Sequence, residues 1–291
     1  MRIVRHKLED EWFGMSQDVG PVLDDLQLIV MHYTAGGSGT SSRDYMLLSP
    51  TQKKERLGVA EKVYASAHLV VDRDGTTWQI VPFNRMARHA GTSRWRGLES
   101  LNRYSIGIEI ANYGWLDLQG DGTYKRPGTK RFQARDVTVA TMPYVPDIKG
   151  WENYPETQLA AVEQVTRVLL SHYPSIHEIV GHQDIAPGRK FDPGPAFPMT
   201  RFRNLVDSRG VGAFDNEAGV EDPEPRQYVC VTRLNIRGGP GIEFEKLRES
   251  PLQPGTKLIE VEARERWLLV KLAKSPTVMG WVHGDYVRGG Q

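Results

Sequence analysis

One cysteine in 291 residues is the first limit this chain sets. Cys230 alone cannot close an internal disulfide, and a thiolate cluster for a metal is excluded with it. It lies in Tyr228-Val229-Cys230-Val231, a strand-like run in which a buried, inert thiol is expected. Charge of one sign is missing too: 37 basic residues against 36 acidic ones leave a formal net charge of +1. No overall field draws the chain to nucleic acid or to an anionic membrane, so neither is expected as a partner. No apolar run approaches the roughly 20 residues of a membrane helix, and membrane insertion is not expected. The start, Met1-Arg2-Ile3-Val4-Arg5-His6-Lys7, is basic, but Glu9, Asp10 and Glu11 stand where an export signal needs an apolar core. As written, the chain shows no general export signal.

What is present is ordinary for a globular protein, with 39% hydrophobic and 25% charged residues. The length allows one large domain, or one of ordinary size plus a small module. Residues 1 to 25 are polar and read as irregular. Leu26 to His32 is a continuous apolar run, typical of a strand buried on both faces. It ends in His32-Tyr33-Thr34-Ala35-Gly36-Gly37, so a histidine meets a glycine-rich loop at a strand end, where open α/β sheets commonly build sites. From this segment alone, a site histidine and a structural one are equally good readings.

Residues 41 to 65 read as helical, with the charges of Gln52-Lys53-Lys54-Glu55 on a solvated face. Ala67-His68-Leu69-Val70-Val71 and Thr76 to Val81 read as a hairpin joined at Asp72-Arg73-Asp74-Gly75. His68 alternates with apolar neighbours and suits either packing or a site. A loop with Arg88-His89-Ala90-Gly91 follows. In Ser105-Ile106-Gly107-Ile108-Glu109-Ile110-Ala111, the isoleucines take one face, while Glu109 stands on the other between the two smallest residues. Small neighbours on both sides leave space above a carboxylate, which favours a site over a plain surface glutamate.

Gly114 to Tyr154 reads as a long polar loop, a length uncommon without a binding role. Pro155 to Tyr173 reads as an amphipathic helix, with Leu159, Val162, Val165 and Leu169 at helical spacing. A strand at 178 to 180 leads into Gly181-His182 and on to Lys190-Phe191-Asp192-Pro193-Gly194-Pro195. Prolines and glycines make helix and strand both unexpected there. His182 and Asp192 are zinc-binding residue types, and Lys190 brings a positive charge beside them, but two ligands leave a zinc site incomplete. A short helix from Thr200 to Asp207 closes the domain. Residues 215 to 226 have the acidic, proline-bearing composition of a linker. Four β-rich runs after it read as a small all-β barrel packed on Leu234, Leu247, Trp267, Val270 and Trp281.

Assembled, the first domain resembles the zinc-dependent N-acetylmuramoyl-L-alanine amidases of the type 2 family, which includes the peptidoglycan recognition proteins. The carriers are Ile29 to Thr34, Ser66-Ala67-His68, His89-Ala90-Gly91, Asn102 with Ser105 to Glu109, and the block from Gly181-His182 to Pro195. They appear in the family's order across residues 26 to 205. The resemblance implies an α/β fold with a central mixed sheet flanked by helices, occupying residues 1 to 214. It implies zinc held by His32, His182 and Asp192, Glu109 as general base, and Lys190 at the developing oxyanion. His68, His89 and Asn102 would line the groove. The substrate would be peptidoglycan or muropeptide fragments, cut between N-acetylmuramic acid and L-alanine.

The sequence departs from the family at Arg88, where many relatives carry tryptophan, and in the long 114 to 154 segment. Asp192 in place of cysteine points away from the animal and phage-lysozyme branches. The tail, residues 227 to 291, resembles bacterial SH3-like domains through Leu234 to Gly241, Trp267 with Val270, and Gly280 to Val287. Such modules imply cell-wall binding; a domain that only packs on its neighbour is the alternative. Two rival functions remain: a muropeptide-binding protein that does not cut, and a zinc peptidase, for which no His-Glu-x-x-His helix is present. A phage lysin, a secreted effector and a cytosolic recycling enzyme all suit the sequence, and the wall-type tail favours delivery to the envelope.

Overall fold

The computed structural model describes residues 1–23, 25–208, 226–264 and 266–289. The expected boundary at 214 and the linker up to residue 225 lie outside the described residues. The chain opens with a small hairpin, β1 (Ile3–Val4) and β2 (Lys7–Leu8). Ile3 and Leu8 are buried in the main core, so the start of the chain is anchored where irregular structure is expected. β3 (Leu28–Tyr33) is the buried strand read from the sequence.

The helical region beyond it is two helices, α1 (Gly39–Leu47) and α2 (Pro50–Leu57). Ser49 caps α2, Pro50 suits its first turn, and Gly58 ends it at a φ of 64°, short of residue 65. Lys53 corrects the expectation of a solvated face. It is fully buried, with Nζ 3.2 Å from Asp18 Oδ2 and 2.6 Å from the Ala65 carbonyl. Next come β4 (Leu69–Val71) and β5 (Thr77–Gln79), paired as the expected hairpin, then β6 (Arg94–Trp95) and β7 (Leu98–Glu99), and then β8 (Ser105–Ile110).

The segment read as a long loop is a sheet. β9 (Trp115–Leu118), β10 (Tyr124–Lys125), β11 (Val137–Met142) and β12 (Val145–Glu152) form a four-stranded antiparallel layer in the order β10-β9-β12-β11. Its strands are short or interrupted by polar residues, which hides their alternation. Burial of Leu116, Tyr124, Phe132 and Val137 holds the sheet together. Then α3 (Glu156–His172), β13 (Glu178–Gly181), the four-residue α4 (His182–Ile185) and α5 (Met199–Asp207) complete this part. The turn of helix in α4 departs from the irregular loop expected there; Asp184 Oδ2 accepts from the Gly181 N–H at 2.9 Å and stabilises it.

The central sheet has the order β13-β3-β8-β4-β5, parallel except for the last pair. This is the mixed α/β architecture expected from the sequence. One face of the sheet, with Ile29, Met31, Ile106, Ile108 and Ile110, packs on Val162, Val165 and Leu169 of α3 and on Phe202 of α5. The opposite face carries Leu28 and Val30, then His32. Among the described residues no helix is long and apolar enough to cross a membrane.

The tail forms β14 (Gln227–Cys230), β15 (Lys257–Arg264), β16 (Trp267–Leu272), β17 (Ser275–His283) and β18 (Val287–Gly289), an antiparallel sheet ordered β17-β16-β15-β14-β18. Its core holds Cys230, Leu234, Ile236, Leu258, Val270 and Val282. Trp267 and Trp281 lie outside that core. Trp267 packs edge-on against His283, and Trp281 faces the neighbouring layer. There Met279 of β17 is buried with Ala140 and Met142 of β11 and with Trp151 of β12, so the two sheets share one apolar seam.

Candidate active site

Parallel pairing of β3 with β8 sets His32 opposite Glu109, with Val70 of β4 on Glu109's other side. Side chains alternate along a strand, so both project from the face opposite the α3 core. β13 pairs with β3 on the other flank, and its end at Gly181 delivers His182. The chain then turns through α4 and returns at Asp192. The Asp192 carbonyl accepts from Gln183 N–H at 2.8 Å, and Gln183 Oε1 accepts from Gly194 N–H at 3.1 Å. Gly194 has a φ of 77°, and a Cβ there would come within 2.7 Å of Trp151, so the loop requires glycine at this point.

Three ligand atoms meet as a result. His32 Nδ1, His182 Nδ1 and Asp192 Oδ2 stand 2.9 Å from one another, and all three residues are buried. Burial, and then the facing His182, lower the His32 pKa to about 4, so its ring is neutral at neutral pH. His182 Nε2–H donates to the Ala90 carbonyl at 3.1 Å, which leaves its Nδ1 as a lone pair. One proton inside this triangle serves two of its three corners at best; a cation serves all three. Two imidazole nitrogens and one carboxylate oxygen form a donor set that suits zinc and leave a fourth position open.

A hydrogen-bond chain behind the triangle fixes the tautomer of His32. Ser105 Oγ–H donates to the Leu101 carbonyl at 2.6 Å, so Ser105 Oγ accepts from His89 Nε2–H at 3.4 Å. His89 Nδ1 is then the acceptor for His32 Nε2–H at 2.9 Å, and His32 Nδ1 is left free for the site. Burial first, and then His32, hold the His89 pKa well below its usual value, in keeping with this neutral chain. Asn102 Oδ1 accepts from the backbone N–H of both His89 and Ala90, at 3.0 and 2.7 Å. The same Ala90 carbonyl that orients His182 also accepts from Arg189 at 2.8 Å.

His68 differs from its expected place in the groove wall. It is fully buried, its Nδ1 accepts from Gly107 N–H at 3.0 Å and its Nε2–H donates to the Arg85 carbonyl at 2.9 Å. Both nitrogens are spent on backbone, which ties β8 to the 85 to 88 segment from behind. Gly107 has no room for a side chain, because the His89 ring occupies that space. The cleared face beside Glu109 therefore holds the imidazole that orients His32, rather than open space.

His182 and Asp192 line a cavity of about 1140 Å³ together with Glu109, Lys190, His89 and Asn102, and His32 meets those two ligand atoms at 2.9 Å. Among the described residues, buried Glu109 Oε2 has no hydrogen-bond partner. Burial, and then the nearby Asp192 charge, raise the Glu109 pKa well above the ordinary carboxylate value, with Lys190 opposing. A carboxyl group with an unpaired oxygen and raised pKa, next to a metal-type triangle and an ammonium group, is equipped to move a proton. Arg56, Arg88 and Arg189 add positive charge to the cavity wall. Sequence reasoning missed Ser105 and Arg189. Ser105 shares the alternating face of Gly107 and Glu109, and that spacing was the available signal; nothing local marks Arg189.

The model of the N-acetylmuramoyl-L-alanine amidase family matches residues 23–195. The 1,6-anhydro-N-acetylmuramyl-L-alanine amidase AmpD of Escherichia coli (strain K12) is 39% identical over 142 residues, 48% of this chain and 58% of that enzyme. The chain thus spans little more than half the length of that relative. The N-acetylmuramoyl-L-alanine amidase AmiD of the same organism is 31% identical over 197 residues, covering 65% of this chain and 55% of AmiD. A crystal structure of a Se-Met AmpD derivative has a TM-score of 0.49 at 28% identity, covering 71% of this chain and 99% of that one. The family match takes in more than half of the residues and encloses the whole triangle with Glu109 and Lys190; the chain belongs to the N-acetylmuramoyl-L-alanine amidase family.

Proposed function

We propose that this protein is a zinc amidase that hydrolyses the bond between the lactyl carbonyl of N-acetylmuramic acid and L-alanine of the stem peptide. The observation that carries this reading is the meeting of His32, His182 and Asp192 beside a cavity that is also lined by Lys190 and by Glu109 with its unpaired carboxyl oxygen. His32, His182 and Asp192 would hold the zinc, which when bound acidifies water and polarises a carbonyl. Glu109 takes the proton of the attacking water and hands it to the alanine nitrogen as the C–N bond breaks. Lys190 balances the negative charge that builds on the carbonyl oxygen. His89, Asn102 and Ser105 keep the ligands oriented, and His68 braces the strand that carries Glu109. The products are a lactyl carboxylate and a peptide with a free amino terminus.

The rival reading, a receptor that binds muropeptides without cutting them, leaves Glu109 unexplained. A buried carboxyl oxygen without a partner is costly, and a binding-only protein gains nothing from it. The arginines of the cavity wall suit the carboxylates of a stem peptide. We read the five-stranded tail sheet as an SH3-like module for the cell wall, which favours an envelope substrate over cytoplasmic recycling. Product mass spectrometry on purified peptidoglycan tests the activity. Intact glycan with new L-alanine amino termini is the expected result; new reducing ends or cuts within the peptide would rule it out.

A further inference from the structure

The apolar seam between the tail sheet and the β9–β12 layer reaches beyond the two sheets. Its centre is buried Met279, Ala140, Met142 and Trp151, and Leu269 of β16 packs against it from the tail. Tyr33 and Phe191 pack against the same cluster. Tyr33 directly follows the ligand His32, and Phe191 stands between Lys190 and the ligand Asp192. Both line the active-site cavity. Side-chain contact therefore runs from the tail to the residues that flank the metal site. β17 is built for this: Gly280 and Val282 face the tail's own core, so Met279 projects from the other face of the strand.

Trp151 is the turning point of the cluster. Its ring lies against Gly194, where a Cβ would stand 2.7 Å from it, two residues beyond Asp192. Its Nε1–H donates to the Ala140 carbonyl at 3.2 Å, which fixes the indole across the β11–β12 hairpin. The ligand loop has ties of its own, from Gln183 N–H to the Asp192 carbonyl and from Tyr154 Oη–H to the Pro193 carbonyl, both at 2.8 Å. Pro193 and Pro195 have no N–H to add to them, so packing on Trp151 and Phe191 carries a share of the loop's support.

We infer that the docked tail is a buttress for the metal site, a role that rests on the zinc reading of the triangle above but not on cleavage. Trp151 is the positioning residue through which tail packing holds the loop of Asp192. Close-packed interiors transmit small displacements rather than absorb them. A ligand oxygen has to keep its place to within about 0.2 Å, so a seam two residues from the ligand acts on the site directly. A module that only recruits the cell wall works from the end of a linker and gains nothing from burying Met279 there.

The test is made in the full chain with Met279→Asp. Position 279 lies outside the tail's own core, so the substitution spares that core and places an unpaired carboxylate in the seam, which opens to hydrate it. Zinc affinity, measured by chelator competition, is expected to fall about tenfold, the lower end of what the groups supporting a ligand contribute. Hydrogen exchange at the Gln183 and Gly194 amides of the metal-free protein should quicken, while the amides of β15 and β16 keep their protection and show the tail folded. Met279→Leu keeps the volume and should match the wild type in both readings. Should the tail amides lose protection as well, Ala140→Asp opens the seam from the other sheet with the tail sequence intact, and the same two readings decide. Zinc affinity and loop exchange that stay at wild-type values with the seam opened would overturn the inference and leave the tail a recruiting module alone. A wild type that showed this coupling to zinc yet cleaved no muramoyl peptide would support the buttress and sink the amidase reading.

Discussion

His32 and Glu109 lie directly opposite each other on the parallel strands β3 and β8, with both side chains on one face of the sheet. The ladder itself sets the separation between a ligand and the proposed base, so neither depends on a loop for its position. Replacing Glu109 by Gln keeps the shape and removes the proton acceptor. Turnover of a muramoyl-L-alanine substrate should fall roughly 10²–10⁴-fold with zinc content unchanged. Steady-state kinetics beside metal analysis checks this; a variant that kept wild-type kcat would remove Glu109 from the mechanism.

The chain Leu101, Ser105, His89, His32 predicts an effect on metal rather than on chemistry. His89→Leu removes the acceptor for His32 Nε2–H, and the ring is then free to adopt the other tautomer or to rotate. Zinc affinity should drop about 10–100-fold, the usual cost of losing a group that orients a ligand. Competition with a chromophoric chelator measures it. An unchanged affinity would mean that His32 is held by packing alone.

Much of the site was legible from local pattern. The buried run ending in His32 and the alternation that isolates Glu109 between small residues both survive in the structure, because period-2 order is a property of the strand itself. What was not legible depends on partners distant in sequence. Lys53 looks like a surface charge until Asp18, 35 residues earlier, is placed against it. β9 to β12 are held by cross-strand burial of Leu116, Tyr124 and Phe132, and between them glycines, prolines and charges break every local pattern. Trp281 was expected in the tail's own core, and only the seam with β11 explains why it faces outward.

The Lys53–Asp18 pair makes a stability prediction far from the chemistry. Asp18 Oδ2 also accepts from Ala65 N–H at 2.7 Å, and Oδ1 accepts from Arg88 at 2.9 Å, so one buried carboxylate ties α2 to the segment that carries Arg88 and His89. Among the described residues, Lys53→Met leaves that carboxylate with only the half-exposed Arg88 as its cation. A loss of about 3 kcal/mol is expected, the lower end of the cost of breaking a buried pair. Urea denaturation measures it, and a change within about 0.5 kcal/mol, the range of ordinary surface substitutions, would refute the coupling.

His68 gives stability a dependence on pH that does not pass through the metal ligands. Burial, opposed weakly by its bond to the Arg85 carbonyl, lowers its pKa from 6.5 to about 4. The folded chain then holds a proton on this ring less readily than the unfolded chain does. Above about pH 6.5 neither form is protonated and the contribution is flat; below it the unfolded state gains the proton first and stability falls, until the folded ring also protonates near pH 4. The full loss across that window is about 3 kcal/mol, at roughly 1.4 kcal/mol per pH unit for one proton. His68→Gln keeps a donor and an acceptor but cannot titrate. Its stability should therefore fall less steeply than wild type between pH 6.5 and 4, by about one proton's worth of slope, in denaturation curves recorded at half-unit steps. Parallel curves for the two proteins would show that the buried ring is not what makes the fold sensitive to acid.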